Sequence, residues 1–164
     1  MPRRKLIFFS GLVLTFVAMT PTAAMGAANG TDRPLTGTLT VITTVNLNTG
    51  AASNVSSGQL SHLGTVNGSS DEQFALVGPN GFSFTVTYTI VAANGDNLFA
   101  NGSGTGNSGP PITSTSTNTI VGGTGRFTGA SGMFTVTGIS TSVSTIGSIR
   151  TVTQTGTLNG TITY

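Results

Sequence analysis

The sequence predicts an all-β fold, a single antiparallel sheet rolled into a closed β-barrel. Three observations carry that expectation. Apolar residues alternate with threonine at period two in several runs. No segment beyond residue 28 shows an apolar period of 3.6. Charge is sparse, at 6% of the chain, so few side chains guard an exposed sheet edge, and closure removes edges altogether.

The first segment, 1–28, reads as a cleaved signal peptide. Arg3, Arg4 and Lys5 form a basic start, and Leu6 to Ala18 form an apolar stretch. That stretch is shorter than the ~20 apolar residues a membrane span needs. Pro21 ends it, and Ala24-Met25-Gly26 and Gly26-Ala27-Ala28 both fit the small-x-small cleavage pattern. The alternative is an uncleaved anchor. Residues 29–164 then form one exported domain, periplasmic or extracellular, with no integral membrane segment of its own.

Export changes the charge reading. The whole chain carries +2, but the mature part has Arg33, Arg126 and Arg150 against Asp32, Asp71, Glu72 and Asp96, a net of −1. It contains no lysine, so no basic patch exists to neutralise phosphates, and nucleic acid is not an expected partner. Cysteine is absent, which excludes disulfides, thiol catalysis, cysteine metal sites and a lipid-anchoring cysteine.

The first strand runs from Leu35 through Gly37, Leu39, Val41, Thr43, Val45 and Leu47 on one face, with mostly threonine between. Threonine keeps the β-branched strand preference and is solvated without charge. The residues from Asn48 to Ser57 read as a loop by composition. Phe82, Phe84, Val86, Tyr88, Ile90 and Ala92 define the clearest strand, and Asn94-Gly95 signals a type I′ hairpin that returns through Leu98 to Gly102. Asn101 to Thr115 reads as a long loop. Phe134 and Val136 alternate with threonine, and Val152, Gly156, Leu158, Gly160, Ile162 and Tyr164 share one parity. Thr36-Gly37-Thr38-Leu39 and Thr155-Gly156-Thr157-Leu158 look alike and could pair to close the barrel.

Gly122-Gly123-Thr124-Gly125-Arg126-Phe127-Thr128-Gly129-Ala130-Ser131-Gly132 is the most specific stretch. It reads as strand, tight turn, then a strand bent at its small residues. Gly122, Gly123 and Gly125 make the turn, Phe127 pins it to the core, and Arg126 faces water or the barrel mouth. A dinucleotide fingerprint does not fit: Gly123, Gly125 and Gly129 are spaced one residue too long, and no helical pattern follows.

Ile120 to Phe127, with Ala130-Ser131-Gly132, resembles the signature of the allene oxide cyclase and dirigent barrel superfamily. Ser61-His62-Leu63-Gly64, Ala92 to Phe99 and Gly160 to Tyr164 add context similar to its bacterial secreted members. The likeness covers roughly residues 35 to 164. It implies an antiparallel barrel of about eight strands. The plant members act on hydrophobic substrates in the barrel cavity, but their cavity residues have no match here.

Candidate chemistry is thin. His62 is the single histidine and reads as a strand or rim residue, without triad or metal partners. Asp71 and Glu72 are adjacent, so on a strand they face opposite ways, and a solvated turn is the expectation. Tyr88 shares its parity with Phe82 and Phe84, hence points inward, where a phenol could mark a polar point in an apolar cavity. The alternative is a packed core. Tyr88, Phe82, Phe84, His62 and Arg126 are therefore the candidate ligand contacts. No catalytic residue, metal site or cofactor is identified. The expected function is binding of a small hydrophobic or aromatic molecule, or a structural exported module. The alternatives are a dirigent- or cyclase-like factor acting on a hydrophobic substrate, and an adhesion module.

Overall fold

The computed structural model describes residues 30–164, so the signal peptide expected over 1–28 and the first residue of the expected domain lie outside the described residues. The described chain is all-β. Eight antiparallel strands close into a barrel in sequence order: β1 (Asp32–Asn46), β2 (Ala51–Leu60), β3 (Gly64–Val77), β4 (Gly81–Val91), β5 (Asn97–Asn107), β6 (Thr113–Gly123), β7 (Ser131–Ile146) and β8 (Ile149–Thr163). Closure is made by β1 on β8, with Gly37 opposite Leu158 and Leu39 opposite Gly156, the two similar segments of the sequence. Among the described residues no helix is long and apolar enough to cross a membrane.

The alternation sorts as expected. Leu35 and Leu39 are buried and Thr36, Thr38 and Thr40 exposed along β1. Phe84, Val86 and Ile90 are buried along β4, with Thr85 and Thr87 exposed.

Two expected loops are strands. Ala51 to Ser57 lies in β2, and Asn101 to Asn107 and Thr113 to Thr115 belong to β5 and β6, leaving only 108–112 as connection. The physical reason on β5 is steric. Gly102, Gly104 and Gly106 read as loop glycines, but they face inward, and the Phe84 ring covers Gly104 while the Phe82 ring covers Gly106. A Cβ at either position would collide with ring atoms and with a β6 carbonyl, so the glycines make room for the aromatics of the paired strand. On β2 the inward positions Asn54 and Ser56 are polar, so no apolar alternation marks the strand.

The Asn94-Gly95 hairpin also differs in type. Gly95 has φ +86°, but Asn94 is not among the positive-φ residues. The Gly95 N–H donates to Ala92 O at 2.9 Å, and the Ala92 N–H to Asp96 O at 2.9 Å. This is a turn closed by a left-handed glycine, where a type I′ turn would need φ > 0 at both central residues.

The turns divide into two sets, one at each end of the barrel. The β2–β3, β4–β5 and β6–β7 connections share an end with the start of β1 and the end of β8. That end is filled. After β6 the chain makes a three-residue 3₁₀ turn, Gly125–Phe127, and drives Phe127 into the barrel, where it is fully buried. Around it pack Leu35, Leu63, Leu98, Ala130 and Ile162, each at most 4% exposed. The strand does not resume until Ser131, so Gly129 and Ala130 belong to the turn and Gly132, at φ +139°, opens β7. Gly125 sits at φ +53° with its Cα against the Asp96 carboxylate, a place and a conformation that a side chain would disturb. The Arg126 N–H donates to Asp96 Oδ2 at 3.1 Å, and the Thr124 N–H to Asn97 O at 2.8 Å. The opposite end, carrying the β1–β2, β3–β4, β5–β6 and β7–β8 turns, is not filled.

Candidate functional site

A cavity of about 690 Å³ occupies that second end. It reaches from the turn residues Leu47 to Gly50 and Ser108 down to the middle of the bore. Its wall on β3 and β4 is aromatic. Phe74 lies 5.4 Å from Phe82 and 5.2 Å from Phe84 between ring centroids, the second pair stacked. Opposite register explains the cluster: Phe74 pairs with Phe84 and Leu76 with Phe82 across the two strands. Val41, Val45, Val136 and Val152 line the remainder, and Leu47, Leu76, Val77, Ile146 and Ile149 stand exposed about the same end.

Polar side chains gather at the floor. On β2 and β3 every second residue points inward, which brings Asn54, Ser70 and Glu72 onto one patch. The Asn54 amide donates to Ser70 Oγ at 3.0 Å and to Glu72 Oε1 at 2.5 Å. The Asn54 Oδ1 atom is buried with no partner. Burial pushes the Glu72 carboxyl up to about 7, against the opposing pull of the Asn54 hydrogen bond. Tyr88 stands across β4, opposite Ser70. Burial pushes its phenol up to about 12, the Glu72 charge adds to the rise, and the Ser116 hydroxyl opposes it. Glu72 feels no matching effect because the phenol is neutral while the carboxyl titrates. On β6, Asn118 is fully buried and donates to Ser116 Oγ at 3.0 Å and Phe134 O at 3.3 Å. Arg150 and Gln154 of β8 also line the space, Arg150 beside the β7–β8 turn and Gln154 deeper, opposite Val41.

The structure brings three of the five expected contacts together. Tyr88, Phe82 and Phe84 line the cavity. His62 and Arg126 stand at the filled end, both exposed and both outside the cavity lining. They meet each other there: Arg126 Nη2 donates to the His62 carbonyl at 2.7 Å, and its guanidinium covers the Phe127 ring at 4.6 Å. His62 occupies the β2–β3 turn at φ +65°. Among the described residues no group of three His, Cys, Asp or Glu side chains could hold a metal.

Glu72 overturns an expectation. It does not lie on a solvated turn but in the middle of β3, facing inward, while Asp71 faces out. Counting parity forward from Val66, which is buried, places Ser70, Glu72 and Phe74 on the same face. That signal is in the sequence, but the intervening inward Gly68 and Ser70 hide it. No family model, no curated protein and no solved structure matches the chain.

Proposed function

We propose that the protein is an exported barrel that binds a small hydrophobic or aromatic molecule in its open end, without transforming it. The observation that carries this reading is the cavity itself. Its 690 Å³ falls within the ~300–1,000 Å³ of small-molecule sites, and its aromatic wall with a few convergent polar groups is the usual composition of such sites. Exported location and kinship with the allene oxide cyclase and dirigent barrels, inferred from the glycine stretch, are parts of the same proposal.

One observation favours a second reading, a dirigent- or cyclase-like factor. A carboxyl held near neutrality beside a tyrosine is an arrangement that acid–base chemistry uses. Its prediction is a ligand that leaves changed.

The test is displacement of the fluorescent probe N-phenylnaphthylamine, with native mass spectrometry of the exported protein. Wild type should bind the probe in the micromolar range. Val45→Trp, which narrows the bore near its mouth, should weaken binding at least tenfold while costing no more than about 1–3 kcal/mol of stability. Equal binding by both proteins, or none by wild type, overturns the reading. A co-purified ligand recovered chemically altered after incubation supports the second reading instead.

A further inference from the structure

We infer that the molecule taken by this cavity is an organic amine, an apolar or aromatic body with one protonated nitrogen that docks on Glu72. The inference rests on the cavity-binding reading and adds the chemical class of the head group.

Two acceptor oxygens without a protein partner, one on Glu72 and one on Asn54, belong to the floor where a head group would arrive. Glu72 Oε1 receives the Asn54 amide, which leaves the second carboxyl oxygen for another donor. Asn54 Oδ1 is a second acceptor, on a side chain 94% buried, and it has no partner within the protein. Such an atom costs free energy until a donor reaches it. An ammonium brings up to three N–H donors and a charge, whereas a carboxylate or carbonyl ligand brings only more acceptors. The surrounding rings fit the same guest. Tyr88 and Phe84 flank Val86, the residue opposite Glu72, and Phe74 follows two positions along β3 on the same face. Aromatic faces around a carboxylate favour an organic cation over a neutral isostere.

The charged and titratable groups around Glu72 are few. Tyr88 faces it from β4, neutral throughout the useful range. Asn54 faces it from β2. Arg150 of β8 is the cation lining the cavity, and it contacts Thr145 Oγ1 at 3.4 Å. Burial and Asn54 are the influences on Glu72, with no contribution from Arg150. The carboxyl therefore has no resident counter-charge and is largely protonated below neutrality. A bound ammonium would return it to its ionised form, so amine affinity should rise as pH climbs through 7 and level off above it.

Three matched probes test this on the full mature protein by titration calorimetry: naphthylmethylamine, naphthylmethanol and naphthoate. At pH of about 8, wild type should bind the amine at least tenfold tighter than the alcohol, and that advantage should shrink several-fold at pH of about 5.5. Glu72→Gln should bind amine and alcohol within about twofold of each other at both pH values, with alcohol affinity near that of wild type. Equal binding of all three probes by wild type overturns the inference and leaves the cavity reading standing. Naphthoate bound tightest, on Arg150, does the same. No binding of any probe overturns both. Should Glu72→Gln fail to fold, the wild-type pH series decides alone: an amine advantage that does not change across it overturns the inference.

Discussion

The two ends of this barrel are built from the same eight strands and have opposite interiors. At one end the chain spends a whole turn, Gly125–Phe127, on inserting a phenylalanine among leucines and isoleucines. At the other, Phe74, Phe82 and Phe84 line a wall and enclose space without filling it. Phenylalanine is used at both ends, so residue type does not distinguish a plug from a pocket. The difference lies in what stands across the bore. Phe127 is met by Tyr164 edge-on at 5.1 Å between centroids, and by aliphatic side chains on the strands around it. The lining of the cavity includes Ser114, Ser116, Gly138 and Gly156, short residues that leave its middle open.

If the filled end holds the fold together, its central ring should carry the largest single effect. Phe127→Ala should lower stability by about 3–5 kcal/mol, read as a shift of the urea midpoint at unchanged slope. A loss below about 1 kcal/mol would mean that the turn is decoration and that the distinction between the ends fails.

The open end should reveal itself through pH. Glu72 titrates near 7 in the folded protein and near 4.5 as a free side chain. The folded state therefore keeps a proton across that window that the unfolded chain has released. Stability from this group is full below pH of about 4.5 and declines as pH rises to about 7, by about 2–3 kcal/mol. In Glu72→Gln the decline should vanish. A denaturation series that is flat in wild type across the window would show that the carboxyl is solvated and the floor wetter than its burial implies.

Backbone geometry at the plug gives a smaller effect. Gly125→Ala forces a side chain into left-handed backbone and against Asp96, and should cost about 1–2 kcal/mol by thermal or chemical denaturation. Smallest of all should be Phe82→Ala at the mouth, where the ring is half-buried: about 1 kcal/mol or less, with a larger proportional loss of ligand affinity. A loss as large as that of Phe127→Ala would make the aromatic wall a second plug.

Much of the fold was legible because its threonine skin and apolar lining obey period two. β1, β4 and the C-terminal half of β8 announce themselves this way, and Phe127 stands out as the large apolar residue among glycines. The site was less legible for the same reason. A cavity floor needs polar residues facing in, and each of them erases the alternation that marks a strand. Asn54 and Ser56 hid β2, Ser70 and Glu72 hid β3, and Ser114, Ser116 and Asn118 hid the start of β6. Tyr88 was found because its neighbours on β4 keep the pattern intact.

The sequence by itself determined that the fold would be all-β, that its two similar threonine-glycine segments could join, and that Phe127 would be buried. Side-chain period is a local property, and neighbouring residues suffice to express it. Only the tertiary structure decided which end is plugged, that Gly104 and Gly106 lie beneath aromatic rings, and that Glu72 faces Asn54 and Tyr88 across three strands. Those relations depend on register between strands, and register is fixed when the sheet closes, by contacts between residues far apart in the chain.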